Sequence, residues 1–289
     1  MVQLENWFYK YNAWSFTKHR LWEECKRAYY YRYIGAALRY SPDFNIQQVK
    51  QLKKLDKRFA LQGALIHQVL DDQLKQHYLG LSLDEQVARN RYIELVEQSR
   101  HNAQNQLVEY YNGAPVNQAF FDRVRENGLD QISLFFGVIW PQLGGLKYLR
   151  HEQFDRVKIG EIEGIVKVDY VSQTQEGTIV ISDWKTGADD EEYENDLQIG
   201  TYVLWATQFY AVPSAKIKSE LIYLTTSARR THEFPNEQLQ NIEQLIVSDF
   251  EAMNRTYEIN YFEPVPEPAK CLSCPFAQIC RYSMAGTQR

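Results

Sequence analysis

Asp183 and Lys185 stand two residues apart in "ISDWKTG", and Asp169 precedes them in "IEGIVKVDYV". On a strand, residues two apart point to one face. The charged pair therefore continues the apolar face of Ile179 and Ile181. The two segments flank "SQTQEG", which signals a hairpin. A turn centred on residue 176 sets Asp169 opposite Asp183, and their shared parity puts both carboxylates on one face. Two such carboxylates repel and call for a cation or a shared proton. Oxygen donors of this kind suit Mg²⁺ or Mn²⁺. Lys185 beside them is placed to orient or help deprotonate a water while the metal polarises a phosphoryl oxygen. D-x-K is short and common, however, and the same residues also read as a surface salt bridge on an edge hairpin.

A second group of reactive side chains crowds the C-terminal segment. Cys271, Cys274 and Cys280 fall in "CLSCPFAQIC", and the fourth cysteine, Cys25, lies far upstream. In a reducing compartment clustered cysteines are more often metal ligands than disulfides. A Cys₄ site would recruit Cys25 and staple the N-terminal helix to the C-terminal tail. Four thiolates suit zinc and an iron–sulfur cluster alike. A pair of disulfides is the remaining reading.

The elements that must position these groups are legible in outline. Ser15 reads as the N-cap of "FTKHRLWEECKRAYYYRYIG", with Gly35 as its stop. Residues 46–79 are helical in period, with Phe59, Gly63, Ile66 and Leu70 on one stripe. Helices are predicted near 84–111 and 117–140. Character changes near Arg150, ahead of the two segments of the hairpin. An acidic loop, "GADDEEYEND", leads to a helix in "LQIGTYVLWATQFY". "AKIKSELIYLTT" and "ARRTHEF" read as strands, and 235–255 as a closing helix. The pattern is a mixed α/β domain with a helical N-terminal region. We expect a single domain over 1–289: a helical part at 1–149, a core at 150–256, and a cysteine tail at 257–289 joined to Cys25.

Composition sets the outer limits. The chain has 289 residues, 44% of them hydrophobic, and a net charge of −5. It has no apolar run of about 18 residues, so no membrane span is expected. Its opening segment lacks the features of a secretory signal, which makes the cytoplasm the expected location. The acidic balance argues against non-specific coating of nucleic acid but permits a local basic groove. The run "KQLKKLDKR", residues 50–58, reads either as a solvated helix face or as a phosphate contact. The tyrosines of "AYYYRY" read as packing residues or as platforms for exposed bases. No G-x₄-G-K-[ST] occurs, so no nucleotide-binding P-loop is expected.

"GIVKVDYV" followed by "IVISDWKTG" resembles the core of the PD-(D/E)xK nuclease superfamily. More narrowly it is similar to the RecB/AddB branch, with "LQGALIHQVLD" like the upstream helix whose His serves the metal site and "LQIGTY" like the Q-x₃-Y helix. Cys25 with "CLSCPFAQIC" resembles the split iron–sulfur site of that branch and of the CRISPR-associated exonucleases. The resemblance runs from Cys25 to Cys280. It implies a restriction-endonuclease-like mixed β-sheet flanked by helices. It implies His67, Asp169 and Asp183 as ligands of Mg²⁺ or Mn²⁺, Lys185 as the catalytic lysine, and Gln198 and Tyr202 lining the site. Glu152 matches an acidic position in the segment entering the sheet. Cys25, Cys271, Cys274 and Cys280 would hold [4Fe–4S], with zinc as the alternative.

Some positions depart from the family pattern. Val166 stands where Gly is usual before the first Asp, with Gly164 displaced, which leaves Glu163 as a fallback ligand. No Pro precedes either Asp, and Trp184 replaces Tyr, so that its backbone carbonyl would face the metal. Without the resemblance, His67 reads as a core-edge histidine bonded to Asp71. The implied function is a metal-dependent DNA nuclease, an exonuclease on single strands or DNA ends acting in repair, recombination or defence. The competing reading is a non-catalytic nuclease-fold subunit that binds DNA in a helicase–nuclease or CRISPR-type complex.

Overall fold

The computed structural model describes residues 13–188 and 195–285. Most of the acidic loop, residues 189–194, lies outside that range. The described residues form two compact units, one of 13–16, 63–93 and 126–254, the other of 17–62, 94–125 and 255–285.

The first unit is built on a five-stranded sheet in the order β1 (Lys147–Ile159), β2 (Ile162–Gln173), β3 (Ile179–Lys185), β4 (Ile217–Tyr223), β5 (Arg229–His232). β3 and β4 run parallel and the other pairs antiparallel, so the sheet is mixed, as expected of this fold class. β3 is buried from Ile179 to Trp184, as a strand with a parallel neighbour and two covered faces should be. The β2–β3 turn is tighter than "SQTQEG" suggested. Thr174 N–H donates to Thr178 O at 2.9 Å, and Gly177 supplies the φ of 85° that the reversal needs.

β1 was not foreseen as a strand. Its thirteen residues carry charge on both sides of a weak alternation, and a register shift between Tyr148 and Arg150 breaks the period.

Helices cover the sheet. α4 (Arg58–Tyr78) buries Leu61, Leu65, Ile66, Val69, Leu70 and Leu74, each stabilising by about 1.5–3 kcal/mol. Phe59, predicted on that stripe, is instead 69% exposed beneath the Lys57 ammonium. α9 (Asn195–Tyr210) packs on β1, β2, β4 and α10 (Asn236–Met253). α5 (Glu85–Gln106) and, past the short α6 (Val108–Tyr111), α7 (Gln118–Leu134) approach so closely at Gly128 that no side chain fits beside the Tyr92 ring, and the short α8 (Trp140–Leu143) precedes β1.

In the second unit the predicted first helix is broken. α1 (Phe16–Glu24) ends before Cys25, whose backbone is extended at φ −168°, ψ 107°, and α2 (Lys26–Tyr29) follows. Gly35 is not a stop: it is helical at φ −56°, and the chain leaves only after Ala37. Tyr29, Tyr30 and Tyr31 are packing residues, set against Phe262, Phe44 and Phe276. The basic run spans the end of α3 (Ile46–Leu52) and the start of α4. Lys53, Lys54 and Arg58 are exposed, while Lys57 pairs with Glu24 at 2.8 Å. The C-terminal segment is tied by hydrogen bonds: Arg27 Nε donates to Phe262 O at 2.8 Å, and Asn112 Nδ2 to Leu272 O and Cys274 O at 2.9 and 3.0 Å. Among the described residues no helix is long and apolar enough to cross a membrane.

Gly128→Ala would place its methyl 2.1 Å from the ring of Tyr92, which is fully buried. It is expected to lower stability by about 1–3 kcal/mol in urea unfolding. An unchanged midpoint would show that the helices part freely there.

Candidate active site

The ladders bring three carboxylates to one level of the sheet. β2 and β3 pair Tyr170 with Ser182 and Val171 with Ile181, and one further step along that register sets Asp169 against Asp183. β1 and β2 pair His151 with Tyr170 and Gln153 with Val168, so Glu152 lies across from Asp169. Glu152 takes φ 44°, a left-handed conformation that costs a residue with a Cβ about 1–3 kcal/mol and tends to mark functional sites. From α4, His67 reaches down: its Nδ1 is 3.2 Å from Asp169 Oδ1 and 3.3 Å from Glu152 Oε1.

The strand backbone closes the arrangement. His67 Nε2 lies 3.2 Å from Trp184 O, and Trp184 N–H donates to Asp169 Oδ2 at 2.7 Å. The Trp184 ring is wedged between Phe135 and Tyr170, which fixes the peptide both partners use. A second network surrounds Asp183. Lys185 Nζ is 2.7 Å from Asp183 Oδ2 and donates to Gln198 Oε1 at 3.0 Å. Tyr202 OH donates to Asp183 Oδ1 at 3.2 Å, and Gln198 Nε2 donates to Tyr202 OH at 2.6 Å. Gln198 and Tyr202 meet because residues four apart share a face of α9.

Both ring nitrogens of His67 face acceptors, so the arrangement favours the imidazolium. Burial pushes its pKa down, but the charges and hydrogen bonds of Asp169 and Glu152 outweigh that and hold it well above 6.5. Burial pushes the Asp169 carboxyl up to about 6; His67 pulls it down, while Asp183 and Glu152 push it up. Burial acts upward on Glu152 too, yet hydrogen bonds from His67 and Lys167 bring it below the usual carboxylate range. Burial lowers Lys185, and the Asp183 carboxylate more than restores it, so the ammonium stays charged.

His67, Glu152 and Asp169 each offer one donor, and the three atoms lie within 4.8 Å of one another. Two carboxylates and an imidazole fit a divalent cation. Asp183, expected as a ligand, is engaged with Lys185, Gln198 and Tyr202, next to that triad. Glu152, which family resemblance marked less firmly, joins it; the missing signal was the strand β1 itself. Asp71, the alternative partner of His67, instead holds Lys75 at 2.6 Å and faces His151 at 3.4 Å. Glu163, the fallback ligand, is exposed and paired with Arg156.

The four-cysteine iron–sulfur centre, and its zinc alternative, are corrected by the structure. Cys25, Cys271, Cys274 and Cys280 are free thiols, and the one converging set of ligand atoms among the described residues is the His–Glu–Asp triad. Arg27 and the stacked aromatic rings tie the N-terminal helices to the C-terminal segment instead, and Asn112 holds that segment from elsewhere in the chain. The likeness to the iron–sulfur exonucleases of the RecB/AddB branch and of the CRISPR-associated kind is corrected with that centre, and the likeness that stands is to the superfamily as a whole.

A family model described as the PD-(D/E)XK nuclease superfamily matches residues 13–281. The Gene 69 protein of Mycobacterium phage D29 is 24% identical over 181 residues, 59% of this chain and 62% of that protein. The chain thus spans less than two thirds of the length of that curated relative. A putative exonuclease from Eubacterium rectale superposes with a TM-score of 0.33 at 10% identity, over 79% of this chain and 90% of the other.

A divalent cation entering the triad must displace the His67 proton and, in acid, that of Asp169. Calorimetry of Mn²⁺ binding in buffers of different ionisation enthalpy is therefore expected to show proton release at pH 7. Affinity should fall as pH drops from 7 to 5, through the Asp169 value of about 6. Binding with no proton release and no pH dependence would place the ion elsewhere.

Proposed function

The chain belongs to the PD-(D/E)XK nuclease superfamily, and we propose that it is a metal-dependent DNA nuclease hydrolysing phosphodiester bonds on single strands or at DNA ends. The observation that carries this reading is the triad of His67, Glu152 and Asp169 beside the Asp183–Lys185 pair. The triad would hold Mg²⁺ or Mn²⁺; the imidazole favours Mn²⁺, which accepts nitrogen more readily than Mg²⁺ does. A bound cation of this kind supplies a Lewis acid for a phosphoryl oxygen and makes coordinated water more acidic.

The chain's own residues supply the rest. The charged Lys185 ammonium cannot accept a proton, so it serves as a donor that holds the attacking water or a phosphate oxygen as negative charge develops. Asp183 aims that ammonium, and Gln198 and Tyr202 fix both partners. Tyr202 keeps its proton, because burial and the neighbouring Asp183 and Asp169 hold it well above 10.

Asp183→Ala and Lys185→Ala are each expected to cut hydrolysis of end-labelled DNA in Mn²⁺ by about 10²–10³-fold. Circular dichroism should remain that of the wild type. Two variants that cut as fast as the wild type would disprove the assignment. A wild type that binds DNA without cutting it would favour a nuclease-fold binding subunit.

A further inference from the structure

We infer that the open face of the β1–β2 ribbon, beside the triad, is a track for single-stranded DNA, with Phe154 as a base-stacking platform and Lys167, Arg156 and Lys158 as phosphate contacts. The inference rests on the nuclease reading and adds to it where the substrate lies.

The register defines the face. Phe154 pairs with Lys167, Arg156 with Ile165, and Lys158 with Glu163, and directly opposed residues share a side of the sheet. Asp169 lies two residues from Lys167 on β2 and so belongs to that side. The intervening residues Val157, Ile159, Gly164, Val166 and Val168 are buried on the other. The ribbon is thus apolar beneath, while above it the cations Lys167, Arg156 and Lys158 run outward from the triad, two of them paired with acids.

A lone surface phenylalanine is ordinary; the placement of this one is not. Phe154 is 74% exposed, and the Lys167 ammonium stands 5.6 Å from its ring centroid. The same ammonium pairs with Glu152 of the triad. One lysine therefore links the candidate metal ligands to the exposed ring. Beyond it lie Arg156, paired with Glu163, and then Lys158. From Glu152 to Lys158 the strand covers about 20 Å, room for several nucleotides.

Alternating cations and an aromatic ring suit a single strand, whose bases are free to stack whatever their sequence; a duplex hides them. The net charge of −5 does not oppose this, since a strand responds to the local field.

The test is anisotropy of a fluorescein-labelled oligothymidylate with the full chain in Ca²⁺. Phe154→Ala is expected to weaken binding about tenfold, with Phe154→Trp close to wild type. Lys158→Ala should lower the slope of log affinity against log salt by about 1. An abasic oligomer should bind the wild type as weakly as the thymidylate binds the Phe154→Ala variant, and that variant should lose nothing more on it. If the wild type cuts DNA but Phe154→Ala binds the thymidylate undiminished, the track is wrong and the nuclease reading stands. If the binding effects appear while Asp183→Ala still cuts, the track stands and the catalytic assignment falls.

Discussion

Asp169, His67 and the peptide of Trp184 form a closed ring of contacts. Asp169 accepts from Trp184 N–H, His67 faces Trp184 O, and His67 and Asp169 pair at 3.2 Å. A carboxylate this deeply buried keeps its charge only against a cation. The imidazolium supplies that cation, and in doing so fixes α4 to the hairpin. The Trp184 ring, held by Phe135 and Tyr170, keeps the peptide in place for both partners. Every other feature of the site is set out from this ring: Glu152 on its β1 side, Asp183 and Lys185 on its β3 side.

The site is balanced in charge before any metal enters. Glu152, Asp169 and Asp183 face His67, Lys167 and Lys185. His67, Glu152 and Asp169 would hold a divalent cation only in place of the His67 proton, so metal and proton would compete there. The Asp183–Lys185 pair has its own partners in Gln198 and Tyr202 and is anchored separately from the triad.

The hairpin was readable because its information is local. The Ile and Val runs, the turn at Glu176–Gly177 and the parity of Asp169 and Asp183 together define the register, and the observed ladder follows it. α9 was readable for the same reason. Glu152 was harder: nothing in "KYLRHEQFDRVKI" announces a strand with a register shift and a residue at φ 44°. Those come from pairing with β2, a tertiary effect. Phe59 fits the helical period, yet it stands in water. The cysteine spacing suggested a centre, but the four cysteines are free thiols and the converging ligand set among the described residues is His67, Glu152 and Asp169, because spacing along a chain does not decide which side chains converge.

The central claim is that His67, Glu152 and Asp169 bind a divalent cation. The most direct measurement is anomalous diffraction from crystals soaked in Mn²⁺. The account predicts a single strong peak bounded by His67 and the carboxylates of Glu152 and Asp169, absent in Glu152→Gln crystals treated alike. A peak away from these three residues, or one unchanged by the substitution, would contradict it.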